Sequence, residues 1–182
     1  MRVDFVIGGT QKGGTSALDS FLRQHPEICM PTTRKELHFF DRDEEKSEPD
    51  WRRYKKYHAN FKPKPQHRAI GEASPIYMYW ETAPGQIWRY NPKMKWILAL
   101  RNPVERAFSA WNMETKRGKD KLSFAEAIEK EAERCREALP LQHRVYSYVD
   151  RGFYAHQVRR LFNIFGRNNV LVVLSEELRN DH

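Results

Sequence analysis

Nine residues near the amino terminus, Gly8-Gly9-Thr10-Gln11-Lys12-Gly13-Gly14-Thr15-Ser16, follow the apolar run Val3 to Ile7 and precede an amphipathic segment that places Ala17, Leu18, Phe21 and Leu22 on one side. A buried strand, a glycine-rich turn and a helix in that order bring free backbone amides and the positive end of a helix dipole to one point, which suits an anion. Lys12 adds charge, and Thr15 and Ser16 add hydroxyl donors. A plain glycine-rich turn between strand and helix is the other reading of the same residues. Counted from Gly8, the nucleoside-triphosphatase pattern G-x-x-x-x-G-K-[ST] meets Gly13 and Thr15 but finds Gly14 where its lysine belongs. The lysine stands two places earlier, at Lys12.

The rest of the chain alternates strands with helices. Arg68 to Glu72 and Lys95 to Leu100 read as strands, and Pro103 suits the first turn of the helix that follows, where its missing donor would have no partner anyway. Ser123-Phe124-Ala125-Glu126 fits a capping box opening a helix to about Leu139, stopped by Pro140. Val158, Leu161, Phe162 and Phe165 share one face of a last helix, which Gly166 ends before a strand from Asn169 to Leu174. Strands separated by helices predict an α/β fold with a central parallel sheet flanked by helices. A length of 182 residues predicts one domain.

Composition narrows the class. The longest apolar runs, Trp96 to Leu100 and Val170 to Leu174, are five residues each, too short to span a bilayer. Val3 to Ile7 follows Met1 almost at once without the pattern of a secretory leader, so a cytoplasmic, bacterial protein is expected. Cys29 and Cys135 have neither a disulfide framework nor zinc spacing. The net charge of +8 points to anionic partners. Part of it is local: six acids against two bases lie between Asp41 and Asp50, then seven bases and no acid between Trp51 and Arg68. Trp51, Tyr54, Tyr57 and Phe61 recur there at helical spacing, which fits a surface helix up to about Asn60 that packs its aromatics, or a surface for an anionic acceptor or nucleic acid. Lys62-Pro63-Lys64-Pro65 ends that helix.

With lysine at position 12, the glycine-rich segment resembles the 5'-phosphosulfate loop of sulfotransferases that use 3'-phosphoadenylyl sulfate. Leu100-Arg101-Asn102-Pro103-Val104-Glu105-Arg106-Ala107-Phe108-Ser109-Ala110-Trp111 resembles that family's 3'-phosphate segment, with arginine at a strand end and serine on the following helix. Arg34-Lys35-Glu36-Leu37-His38-Phe39-Phe40-Asp41 is similar to a segment of the heparan-sulfate and related carbohydrate sulfotransferases whose glutamate is the catalytic base. The steroid and phenol enzymes use histidine, so His25, His38, His58 and His67 compete for that role, although none lies in a segment resembling theirs. Gly71-Glu72-Ala73-Ser74-Pro75 resembles a further family segment in which lysine usually stands at the place of Ala73, and Arg151-Gly152-Phe153-Tyr154 looks like a later one. Family members continue through further helices and a basic loop, so the chain, 1–182, is expected to be a sulfotransferase-like domain lacking the carboxyl-terminal part.

The resemblance implies that the α/β fold is of P-loop-like, three-layer type. It also implies in-line transfer of a sulfuryl group to a hydroxyl or amine of an acceptor, a carbohydrate or other small molecule, without a metal, and the charge of the chain suits an anionic acceptor. Glu36 would take the acceptor's proton and Lys12 would neutralise the leaving oxygen. Gly13, Gly14, Thr15 and Ser16 would hold the 5'-phosphate, and Arg101 with Ser109 the 3'-phosphate. No nucleic-acid partner and no membrane segment are expected. The rival expectations are a magnesium-dependent nucleotide kinase on the same strand-loop-helix, and a non-catalytic polyanion-binding module built on Trp51 to Arg68.

Overall fold

The computed structural model describes residues 1–42 and 50–180. Most of the acidic run between Asp41 and Asp50 lies outside the described residues. Five strands, β1 (Phe5–Gly9), β2 (Ile28–Cys29), β3 (Ala69–Ala73), β4 (Lys95–Leu100) and β5 (Val170–Leu174), form one sheet in the order β2-β3-β1-β4-β5. All neighbours are parallel, and Phe5 of the central strand pairs with Gly71 on one side and Lys95 on the other. The helices are α1 (Thr15–Gln24), α2 (Asp50–His58), α3 (Ala83–Tyr90), α4 (Pro103–Lys116), α5 (Phe124–Glu129), α6 (Glu131–Arg136), α7 (Tyr154–Phe165) and α8 (Glu177–Asn180).

Parallel strands covered on both faces are apolar on both, and the pleat divides their side chains between two cores. Phe5 and Ile7 of β1 pack with Met30 and Ala73 against Leu18 and Leu22 of α1. Val6, Trp96 and Leu98 point to the other face and pack with Ile87 of α3, Leu161 and Phe165 of α7, and the aromatic residues of α2. This is the α/β arrangement the alternation predicts, in the three layers the resemblance implies. The first strand starts two residues later than its hydrophobic run suggested, because Val3 packs in the core ahead of the ladder and its amide donates to the Tyr90 hydroxyl at 2.8 Å.

The helix starts follow their local signals. Asn102 Oδ1 accepts from the amides of Val104 and Glu105 at 3.0 and 3.3 Å, with Pro103 in the first turn of α4. Ser123 and Glu126 form the capping box of α5. The single helix expected up to Leu139 is instead broken at Lys130 into α5 and α6, and α6 ends at Arg136. Its physical cause is Glu131, which is buried and accepts the amides of Val149 at 2.7 Å and Asp150 at 2.9 Å. An axis continued straight through Lys130 would not hold that carboxylate under the turn at residues 149 and 150.

In α2 the aromatic stripe belongs to the core. Tyr57 stacks on Phe39 at 4.5 Å between centroids, with Phe40, Phe61 and Tyr90 edge-on around it. Trp51 alone of the four stays largely in solvent. Rings packed in this way are not available to stack on bases.

Candidate active site

The chain leaves β1 into the glycine-rich loop, which is pinned to the end of β4. Thr10 N–H donates to the Ala99 carbonyl at 3.0 Å, and Gly13 N–H donates back to the Thr10 carbonyl at 2.9 Å. A Cβ on Gly13 would lie 2.2 Å from the Ala99 carbonyl oxygen, so only glycine lets the loop sit this close to the sheet. The amide of Gly13 is thus used inside the loop, and of the residues expected to cradle a phosphate it is the one that supports from beneath. Lys12 and Gly14 both adopt left-handed backbone, at φ 69° and 97°. Gly14 then caps α1, its carbonyl accepting from Ala17 at 3.0 Å. Amides of a helix's first turn have no partner within the helix, and here they open toward the cleft that Gly14, Thr15 and Ser16 line.

That cleft, of about 1360 Å³, lies at the carboxyl ends of the central strands and collects residues from distant parts of the chain. Lys12, Gly14, Thr15, Ser16, Glu36, Arg101 and Ser109 all line it. Arg101 follows β4 directly, and its Nε and Nη2 donate to Glu105 Oε2 at 3.0 and 2.7 Å. Tyr154 of α7 fixes the backbone there, its hydroxyl donating to the Arg101 carbonyl at 2.9 Å. Ser109 lies on α4.

Glu36 comes from the segment after β2. One oxygen accepts from His38 Nε2 at 3.1 Å, while the other lies 3.7 Å from Lys35 Nζ. Lys35 Nζ also donates to Ser16 Oγ at 2.5 Å, joining this segment to the glycine-rich loop. His38 Nδ1 bonds Asp41 Oδ2 at 3.0 Å, and Arg144 Nη1 reaches the same oxygen at 2.6 Å. The hydrogen bond to Asp41, joined by that to Glu36, pushes the His38 pKa up to about 9. The bond from His38 holds Glu36 below its usual range against the opposing effect of burial, with Lys35 and Arg117 adding to the lowering. Burial alone would raise Asp41, but its bonds from His38 and Arg144 prevail and lower it. The three groups are therefore an ionised carboxylate, an imidazolium and a second carboxylate at neutral pH.

The segment is held from beneath by a buried carboxyl. Glu72 accepts from Tyr57 at 2.7 Å, Tyr77 at 3.1 Å and Ser74 at 2.8 Å. Ser74 Oγ in turn accepts the His38 amide at 3.2 Å, and the Tyr77 hydroxyl accepts that of Phe39 at 3.0 Å. His38 itself has φ 52°, so these bonds hold a backbone conformation that is uncommon outside glycine. Burial pushes the Glu72 pKa up against the effect of the three hydroxyls. Ala73, where the resembling segments carry lysine, packs under α1.

Of the four histidines weighed from sequence, His38 alone lines the cleft. His58 instead bonds the Tyr90 hydroxyl at 2.8 Å, among the α2 aromatics. Sequence reasoning missed Asp41, His143 and Arg144 as cleft residues. Asp41 had a usable signal, since Glu36, His38 and Asp41 recur at two- and three-residue steps. Arg144 had none, because it arrives from the connection between α6 and α7. Among the described residues no helix is long and apolar enough to cross a membrane.

The sulfotransferase domain profile matches residues 2–182. The bifunctional heparan sulfate N-deacetylase/N-sulfotransferase 3 of Homo sapiens is 31% identical over 188 residues, covering 97% of this chain and 20% of that protein. Heparan sulfate glucosamine 3-O-sulfotransferase 5 of Mus musculus is 36% identical over 122 residues, covering 65% of this chain and 33% of that protein. The chain thus spans a fifth to a third of the length of these curated relatives. The crystal structure of a sulfotransferase from Alicyclobacillus acidocaldarius superposes with a TM-score of 0.85 at 37% identity, over all of this chain and 76% of that one. With a loop, a strand-end arginine and a paired glutamate meeting in one cleft, and with a profile matched from end to end, the chain belongs to the sulfotransferase domain family.

Proposed function

We propose that this cleft moves a sulfuryl group from 3'-phosphoadenylyl sulfate to a hydroxyl or amine of an acceptor, with Glu36 as the base. The observation that carries the reading is the meeting of three separate sequence segments in one cleft: the loop with Lys12, Arg101 with Ser109, and Glu36. The residues fit a donor with two phosphate ends. Gly14, Thr15 and Ser16 at the start of α1 offer amides and hydroxyls to one end, with Gly13 contributing closeness to the sheet rather than its amide. Arg101 already grips a carboxylate, Glu105, with two donors, and a phosphate oxygen offers the same chemistry to that guanidinium.

The donor supplies a sulfuryl group on a phosphate leaving group, and the transfer asks for alignment and charge neutralisation. Lys12 neutralises charge on the departing oxygen. Glu36 accepts the proton of the attacking hydroxyl or amine. Its bond from His38 keeps it ionised and orients it, and also makes it a weak base, so the proton moves as the new bond to sulfur forms. A magnesium-dependent kinase reading is disfavoured by Gly14, which occupies the pattern's lysine position in left-handed backbone.

The remaining cleft residues favour an anionic acceptor. Lys35, Arg117, Lys119 and Arg144 line the same space. Two relatives are named for heparan sulfate, an anionic glycan, and a carbohydrate acceptor of that charge suits these residues. Glu36→Gln should lower transfer of labelled sulfate to such glycans by about 10²–10⁴-fold and leave the affinity for adenosine 3',5'-bisphosphate unchanged. Lys12→Ala should weaken both. Full activity of Glu36→Gln would remove the base assignment, and unchanged bisphosphate affinity in Lys12→Ala would remove the loop assignment.

A further inference from the structure

Arg151 lies in the 3-10 turn Asp150–Gly152 ahead of α7 and is 3% exposed. A guanidinium taken out of water usually pairs with a carboxylate, because an unpaired buried charge is costly. Its hydrogen-bond partners among the described residues are neutral. Nη1 donates to Gln11 Oε1, and Nη2 donates to the carbonyls of Arg144 at 2.6 Å and His143 at 3.4 Å. The guanidinium carbon lies 4.9 Å from the centre of the Tyr79 ring, and Nε has no partner among the described residues. The adjacent Asp150 is turned away to accept the Tyr79 hydroxyl at 2.6 Å. Burial draws the Arg151 pKa down to about 10, so the group is still a cation at neutral pH.

Both groups that Arg151 joins belong to the cleft. Gln11 is in the phosphate-type loop, next to Lys12, while His143 and Arg144 line the same cleft from the connection before α7. From Arg144 the contacts continue through Asp41 at 2.6 Å and His38 at 3.0 Å to Glu36 at 3.1 Å. One polar chain thus runs from the loop to the carboxylate, with a buried cation at its loop end.

We propose that Arg151 is a positioning residue that, from the side opposite the Lys35–Ser16 bond, holds the donor loop in register with Glu36, and that the anion bound at the loop completes its buried charge. This rests on the donor reading given above. The charge faces the loop through Gln11, and the fork spans two segments that no other described side chain is shown to bridge in this way. Lysine at this position keeps the charge but, with one nitrogen, cannot hold Gln11 and the Arg144 carbonyl in the same fork geometry.

The test compares the wild-type chain with Arg151→Met, Arg151→Lys, Gln11→Met and Lys12→Ala, by calorimetric affinity for adenosine 3',5'-bisphosphate, thermal midpoint and the His38 ring resonances. Gln11→Met removes only one partner and leaves the buried arginine with its bonds to the His143 and Arg144 carbonyls, so with Arg151→Lys it keeps the test readable where Arg151→Met does not fold. Arg151→Met and Gln11→Met should bind the bisphosphate about tenfold more weakly, the loss expected for a hydrogen bond to a charged group. Arg151→Lys should recover most of that affinity while the His38 resonances stay displaced from their wild-type positions. Wild-type affinity and wild-type His38 resonances in all three variants, with only a lowered midpoint, would reduce Arg151 to a packing residue and overturn the proposal. A lysine variant binding as weakly as methionine would overturn the charge part. Failure of the wild type itself to bind, with Lys12→Ala no different, would instead bring down the donor reading.

Discussion

His38 keeps a proton that an ordinary histidine gives up near neutrality, because Asp41 and then Glu36 accept from its two ring nitrogens. The sign of the resulting pH dependence follows from linkage. Its pKa is about 9 in the folded chain against an ordinary 6.5, so its contribution to stability is full below 6.5 and is lost as the pH rises through 9. Urea midpoints of the wild type should therefore fall between those two values, and His38→Gln should lack that part of the decline. Parallel pH profiles for the two proteins would count against the ion triad. The place of Glu36 in the cleft was legible in the sequence because its segment resembles a known one. The identity of its partner was not, since His38 was one of four histidines and only the folded segment, with its amide on Ser74, aims that ring at the carboxylate. Arg144 left no local trace, as its partner Asp41 lies 103 residues away, and Arg151 was visible only as part of a family-like segment, with nothing local to show its bond to Gln11 140 residues away.

Elements whose ends are set by neighbouring residues were the readable ones. The Ser123 and Glu126 side chains satisfy each other's backbone amides, and the helix starts where that pattern says it should. Ser123→Ala removes the Oγ acceptor for the Glu126 amide and should cost about 1 kcal/mol, read from chemical denaturation. Restoration by Ser123→Asp is expected, since a carboxylate can accept the same amide and suits a helix N-terminus. A loss below a few tenths would show that packing of Phe124 and Ala127 alone fixes this start. The other end of the same helix was unreadable, because the break at Lys130 answers to Glu131 and the amides of residues 149 and 150. The two-residue strand β2 was missed for a similar reason: its pairing with Ala69 and Ile70 is made by tertiary contact rather than by its own pattern.

At the scale of the whole molecule, the order β2-β3-β1-β4-β5 places β1 and β4 side by side where the direction of strand addition reverses. Open α/β sheets bind ligands outside the carboxyl ends of strands at such a point, and the loop after β1 and Arg101 after β4 both lie there. A ligand of the native state alone stabilises it by mass action, about 2.7 kcal/mol at one hundred times its dissociation constant. For a chain of this size that corresponds to a rise in the thermal midpoint of about 5–10 °C. Adenosine 3',5'-bisphosphate should produce that rise and ATP with magnesium should not. The reverse pattern would favour the kinase reading, and stabilisation by heparin alone the polyanion module.

The placement of β1 also sets an order of assembly. It is the first of the five strands to be synthesised, yet its neighbours are β3 and β4, and the loop that follows it rests on Ala99. One edge of β1 can pair as soon as β3 is made, but its other edge and the loop after it must wait until β4 has been synthesised. Chaperone dependence during translation is the expected consequence, and nascent chains arrested before Lys95 should lack a protected loop, whereas those released after β4 should acquire it.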